Sequence, residues 1–387
     1  MLDTSSGASR AIRQMLLQLA HRGWQVDVLG ATVFDHPNGT SGFQGQWGAV
    51  REKQGSVVAV QDGPIQHKLL VTASTQREAM TSIEEGIWFA LYEQILDQQK
   101  PDVLYYYGGQ PFDYLIANEA RRRGIPVAFY LANGNYHNTR WKDDIDLVLT
   151  DSQATADLYK ERIGLNVQPL GTFIDPVQVV APQHSRERLL FINPVPAKGA
   201  VWVVRLALWL EQHQPDLVLE VVESRGGWQD ILRVTTRAMG HERDTLNNVV
   251  ITPNSHDMRP IYSRAWLLLA PSLWWESAGR VIPEAMLNGI PVICTERGGM
   301  PEMVGSGGIV MRLNEKYYEQ PWGVIPSEEE ISQLGQCIVV LRQNPERYAQ
   351  LVQEARRTCV LKHNMELNTD RLQSALQLLM SCHATRA

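Results

Sequence analysis

Short apolar runs alternate with longer stretches of helical period along the chain. In the first half the runs 24–30 (WQVDVLG), 102–108 (DVLYYYG), 127–132 (VAFYLA) and 146–152 (DLVLTDS) predict buried strands. Helical patterns lie between them. Apolar Ile12, Met15, Leu16 and Leu19 fall on one face of a helix over 8–22. Residues 81–98 open on a Thr-Ser cap with Glu84 and Glu85 in the first turn. Residues 117–124 (ANEARRRG) end in basic side chains and a glycine, a helix stop. The second half repeats the rhythm, with strands at 188–193, 217–224, 248–253, 266–272 and 291–295 and a helix over 200–213. From 326 to 381 the pattern is helical only.

Strands alternating with helices predict parallel sheets with helices on both faces. At 387 residues the chain is too long for one ordinary core. Two doubly wound α/β domains with a cleft between them are predicted, joined through the polar, proline-bearing stretch 175–187. The front of the chain breaks the pattern. A strand should precede the first helix, yet only Met1, Leu2 and Asp3 stand before the turn-like TSSG. Either the first strand is truncated in this chain, or the true start lies upstream, or the helix simply starts the domain.

Composition narrows the function classes. Hydrophobic residues are 44 % and charged residues 20 %, ordinary for a globular protein, and the net charge of -6 argues against a nucleic-acid binder. None of the four cysteines, Cys294, Cys337, Cys359 and Cys382, forms a C-x-x-C pair or a zinc spacing with histidine. They read as reduced thiols of a cytoplasmic protein. No apolar run reaches eighteen residues, and MLDTSSGASR has no signal-peptide pattern.

The segment 271–292, PSLWWESAGRVIPEAMLNGIPV, carries the candidate chemistry. The strand WLLLAPS leads into a helix over 280–288, stopped by Gly289 with Pro291 beyond. Ser277, Ala278, Gly279 and Arg280 therefore sit past the carboxyl end of a parallel strand, the edge where open α/β sheets bind ligands. Backbone amides there suit a phosphate, and Gly279 permits close approach. Glu276 and Glu284 would repel a phosphate but accept hydrogen bonds from hydroxyls. A nucleoside diphosphate sugar has hydroxyls at both ends and phosphates between. The alternative is an Arg280–Glu284 salt bridge at i, i+4 spacing on a surface helix. Trp274 and Trp275 either pack beneath Glu276 or border the sugar.

The run PSLWWESAGRVIPEAMLNGIPVICTERGGMPEMV resembles the nucleotide-sugar signature of glycosyltransferase family 4, also called group 1. The matching positions are Glu276, Glu284, Ala285, Gly289, Pro291, Val292, Gly298 and Gly299. DLVLTDSQATADLYKERIG and NVVITPNSHDMRPIYSRAWLLLAPS extend the likeness over much of the chain. The resemblance implies the GT-B fold: an N-terminal Rossmann-like domain over 1–178, a C-terminal nucleotide-sugar domain over 179–365, and a helix over 366–387 crossing back. It implies a retaining transfer from a UDP- or GDP-sugar to a hydroxyl acceptor, saccharide, lipid-linked or small, with no metal and no cofactor. Glu284 would meet the ribose and Glu276 the sugar; the phosphates or sugar would meet the backbone around Gly279. Ala278 stands where relatives often carry a bulkier apolar residue.

Other positions follow from the same likeness. Lys198-Gly199 in FINPVPAKGAVWVV matches part of a diphosphate clamp, but Asn193 stands where the family has an arginine, leaving Arg225 or Arg280 as substitutes. His137, in the loop after a strand, is placed to donate to the sugar. Gly7 and the first amides of the first helix are placed toward donor and acceptor. Asp144-Ile145-Asp146 has the D-x-D form of metal-dependent transferases of another fold, but it reads as the edge of a strand. Arg121, Arg122 and Arg123 read as a solvated helix end, although some relatives touch anionic membranes with a basic surface. The rival readings are a GT-B epimerase and a GT-B subunit that binds without turnover, the latter favoured by Asn193 and the absent first strand.

Overall fold

The computed structural model describes all residues except 44, 110–112, 137–139 and 386–387, with the backbone alone at residue 38. The chain divides into two compact units: Met1–Phe173 with Met365–Ala387, and Ile174–Asn364. No described helix is long and apolar enough to cross a membrane.

The first unit contains, in chain order, α1 (Gly7–His21), β1 (Asp27–Ala31), α2 (Trp47–Arg51), β2 (Val57–Asp62), β3 (Ile65–Leu70), α3 (Ser82–Gln99), β4 (Leu104–Tyr106), α4 (Asp113–Arg122), β5 (Val127–Tyr130), β6 (Leu147–Thr150), α5 (Gln153–Ile163) and β7 (Gln168–Pro169). Its strands form two sheets, β1-β3-β2 and the parallel β4-β5-β6-β7. The hairpin β2–β3 is antiparallel and was not expected; β1 adds to it in parallel. Helix starts obey their caps: Ser6 accepts from Ser9 N, and Thr81 with Glu84 forms a reciprocal capping box. The apolar face of α1, Ile12, Met15, Leu16 and Leu19, packs on Val28 and Ile65 of one sheet and Ala128, Tyr130 and Leu149 of the other. One helix thus bridges both sheets with a single core. Met1–Asp3 form no strand, and Leu2 is buried against Phe43, Val50, Val58 and Leu69.

The second unit contains α6 (Pro176–Val179), β8 (Arg188–Ile192), α7 (Ala200–His213), β9 (Leu219–Val222), α8 (Trp228–Ala238), β10 (Val249–Thr252), α9 (Arg259–Arg264), β11 (Ala265–Ala270), α10 (Val281–Leu287), β12 (Val292–Thr295), α11 (Met300–Val304), β13 (Gly308–Met311), α12 (Glu328–Gln343) and α13 (Pro345–Lys362). Six parallel strands run in the order β10-β9-β8-β11-β12-β13. Both faces are covered, which explains the uninterrupted apolar text of β11 and β12. The strand order reverses between β8 and β11, so the loops leaving these two strands depart in opposite directions and open a crevice at the carboxyl edge.

The chain then returns to the first unit as α14 (Met365–Ala384). Leu372, Ala375 and Leu376 join the core under α1. Arg22 pairs with Glu366 at 2.9 Å and Asp370 at 2.6 Å, and Asn368 Nδ2 donates to Thr172 O at 2.8 Å.

Candidate functional site

The two loops at the strand-order reversal are stitched together. After β8 the backbone turns through Asn193, held at φ 66°, and through a 3-10 turn over Pro196–Lys198. After β11 the segment 271–280 crosses toward α10. Leu273 N and Trp274 N both donate to Ala197 O, at 2.9 and 3.0 Å, and Ser272 Oγ does so at 3.2 Å. Two glycines allow the close approach. Gly199, at φ 80°, lies where an added Cβ would collide with Pro271 O. Gly298, at φ 66°, lies where one would collide with Glu276 O, and Gly299 N donates to that same oxygen at 2.8 Å. The segment carrying Glu276 is thereby fixed from the β8 side and from the β12 side.

The structure brings Lys198 to Glu276, 78 positions away. Glu276 is half-buried; its Oε1 forms an ion pair with Lys198 Nζ and accepts from Ser272 Oγ at 3.0 Å. Glu284 is only 3 % exposed, on the first turn of α10. Its Oε2 accepts from the buried Tyr262 hydroxyl at 2.8 Å. Its Oε1 lies 2.7 Å from Arg280 Nε, but the Nε–H does not point along that line, so this is a charge contact rather than an aligned hydrogen bond. The i, i+4 salt bridge considered from the sequence is therefore present, on a buried carboxylate rather than a surface one. The two glutamates hold to separate partners, as ligand groups at separate ends would require.

The neighbouring positions divide clearly. Ser277 and Ala278 are buried, and Gly279 adopts φ 64° with its carbonyl accepting from Ile282 N at 2.8 Å. Arg280 forms the N-cap of α10. Asn193 uses its side-chain oxygen to accept from Arg225 N at 3.1 Å, so the residue standing in the clamp position holds the 223–227 loop, while the Arg225 side chain is exposed. Gly7 opens α1 in the first unit. His137 lies outside the described residues.

Both aspartates of the D-x-D segment take part in local hydrogen bonds. Asp144 Oδ2 accepts from Asn118 at 3.1 Å and Asp146 Oδ2 accepts from Val127 N at 2.9 Å, closing a strand edge. Among the described residues no three His, Cys, Asp or Glu side chains gather as a metal site. The arginines 121–123 are engaged with acids: Arg121 with Asp144, Arg122 with Glu119, and Arg123 with Asp97, Glu119 and Glu93.

Sequence reading missed Tyr262 and Ser272, which orient the two glutamates. Ser272 sits four positions before Glu276, a usable local signal; Tyr262 lies 22 positions before Glu284 and carries none. Trp274 packs edge-on to Trp322 with centroids 6.1 Å apart, and the Arg297 guanidinium lies 5.4 Å from the Trp275 ring. Both tryptophans thus have protein partners.

Residues 187–319 match the family described as Glycosyl transferases group 1. Spore coat protein SA of Bacillus subtilis (strain 168) is 26 % identical over 165 residues, which cover 39 % of this chain and 43 % of that protein. The chain thus spans less than half the length of that curated relative. Among solved structures, sucrose-phosphate synthase from Thermosynechococcus elongatus superposes with a TM-score of 0.70 at 14 % identity, over 96 % of this chain and 93 % of that one. Anabaena HepE, solved with UDP and glucose, superposes with a TM-score of 0.67 at 16 % identity, over 97 % of both chains. The chain has the GT-B fold, and its residues 187–319 are similar to the family described as Glycosyl transferases group 1.

Proposed function

We propose that this protein is a retaining glycosyltransferase that moves a sugar from a nucleoside diphosphate sugar to a hydroxyl acceptor, without a metal or other cofactor. The observation that carries the reading is the pairing at the crevice: two carboxylates on separate partners, each with a cation, on loops leaving strands where the sheet order reverses. Hydroxyls at either end of the donor would meet Glu284 and Glu276; Lys198, Arg280 and the backbone of 277–279 would face the phosphates. UDP is the first nucleotide to try, because HepE was solved with it; GDP is the second.

In this reading the nucleoside diphosphate departs with its growing charge stabilised by Lys198 and neighbouring amides, through an oxocarbenium-like state. The acceptor hydroxyl attacks from the same face and gives its proton to a leaving phosphate oxygen. Arg225 and Gly7 would border the donor and His137 the sugar. Retention, the acceptor class and a cytoplasmic location, with peripheral membrane contact for a lipid-linked acceptor, belong to the same proposal.

A thermal-shift panel of UDP-, GDP-, ADP- and dTDP-sugars tests it. Stabilisation by at least one nucleotide is expected, and a protein indifferent to all of them is not this enzyme. Incubation with the best donor should then release nucleoside diphosphate in an acceptor-dependent way. Asn193 in the clamp position favours a second reading, a subunit that binds without turnover; it would show stabilisation but no product.

A further inference from the structure

The carboxyl edge of the second sheet carries another polar feature, away from the β8–β11 crevice. The loops leaving β11, β12 and β13 meet there, and β13 is the edge strand. They bring Trp275, Arg297 and Tyr318 together. The Arg297 guanidinium carbon lies 5.4 Å from the centre of the Trp275 ring and 4.8 Å from that of Tyr318, a cation–π distance on both. No carboxylate among the described residues pairs with it; its sequence neighbour Glu296 approaches Arg312 instead, at 3.8 Å. By contrast Arg205, Arg243 and Arg264 of the same unit each hold an acid. Arg297 Nε is buried without an acceptor, while its terminal nitrogens, with no hydrogen-bond partner among the described residues, remain open to solvent. The cation is thus held by two rings, partly stripped of water, with its outer donors unused.

This feature is separate from the donor crevice. Trp275 and Glu276 are adjacent, yet Glu276 meets Lys198 and Ser272 while Trp275 meets Arg297. Lys198 comes from the β8 loop and Arg297 from the β12 loop. The uncompensated charge at Arg297 is one. A carboxylate matches it, and its two oxygens fit the planar fork of the guanidinium; a phosphate monoester carries nearly two charges. Trp274 and Trp322, packed edge to face at 6.1 Å and partly exposed, continue the aromatic surface. Such rings join an apolar face to a polar tip, which suits a pyranose with its C–H face and hydroxyl rim. We propose that Arg297, between Trp275 and Tyr318, binds the carboxylate of an acidic saccharide, a uronate-bearing glycan whose sugar ring lies on the tryptophans. The use of this site to anchor the acceptor glycan rests on the transferase reading; the binding itself does not.

Wild-type protein tests it by calorimetric titration with trigalacturonate, its methyl ester and triglutamate. The ester keeps the sugar rings without the charge, and the peptide keeps the carboxylates without the rings. Trigalacturonate should bind at least about tenfold more tightly than either, the worth of one charge-assisted hydrogen bond, and should change the tryptophan fluorescence. Arg297→Met, which keeps an apolar stem between the rings, should lose the preference for acid over ester. Saturating UDP should leave trigalacturonate bound. Equal binding of acid and ester, or equal binding of triglutamate, overturns the proposal without recourse to a variant. So does a preference that survives Arg297→Met, or displacement by UDP, which would put the saccharide in the donor crevice. If trigalacturonate binds as expected and no nucleotide does, the Arg297 site stands and the donor reading falls. If nucleotides bind and trigalacturonate does not, the donor reading stands and the Arg297 site falls.

Discussion

Glu284 shows how a single residue can be identified from sequence and still have its setting misjudged. Its place in a Glu–seven–Glu spacing was legible, as was Arg280 one turn before it. Its burial and its bond to Tyr262 were not, because they depend on α9 folding against α10, a contact that no local pattern encodes. Glu284→Gln should weaken nucleotide binding by about 1–3 kcal/mol, since an amide returns fewer acceptor sites to the ribose; isothermal titration measures it, and unchanged affinity would remove Glu284 from the site. Lys198→Ala should lower kcat more than it raises KM, because the leaving charge peaks in the transition state. Steady-state kinetics decide between the two effects. At Gly298 the same reasoning gives a stability prediction. A Cβ at φ 66° both strains the backbone and meets Glu276 O, so Gly298→Ala should lose about 2–4 kcal/mol in urea unfolding and displace Glu276.

Elements were legible where they stand alone and obscure where they pair. The strands β8, β9, β11 and β12 and the helix α7 fall where the apolar runs and the 3.6 period put them. The hairpin β2–β3 was overlooked although its signal exists: alternation over VVAVQD, burial in strict alternation, and a two-residue Gly63-Pro64 loop with glycine first. The division of the first unit into two sheets was beyond sequence reading, because pairing across long gaps decides it.

Helix ends carry two further predictions. Asn288 caps α10 and is 1 % exposed; it accepts from Ala181 N at 2.8 Å and donates to Val179 O at 3.0 Å and Glu284 O at 2.9 Å. Asn288→Ala leaves three buried backbone groups unmatched and should cost about 3 kcal/mol, read from the denaturation midpoint. At the end of α13, His363 Nε2–H donates to Met303 O at 2.9 Å, and burial lowers the ring's pKa from 6.5 to about 4. A histidine depressed on folding binds its proton more readily when unfolded. Its neutral form therefore costs no stability above pH 6.5, and stability falls as pH drops from there toward about 4, by up to about 3 kcal/mol. His363→Gln should flatten that part of the stability–pH curve relative to wild type; parallel curves would exclude the buried histidine as its source.

At the scale of the whole molecule, the first unit is discontinuous and the second is not. The fragment 174–364 holds all six strands of its sheet and should fold by itself, with a cooperative thermal transition seen by circular dichroism. Removing 365–387 should instead unfold the first unit, because Leu372, Ala375 and Leu376 lie in the core under α1. Proteolysis should then degrade 1–173 and spare the second unit. The return of α14 also sets an order during biosynthesis. Residues 1–173 leave the ribosome before the second unit, but the helix that seals their core emerges only after it. At roughly 5–20 residues per second, the intervening unit delays it by about 10–40 s. Through that interval the apolar face awaiting α14 is open to chaperones, and the unit that is translated second is the first able to finish folding.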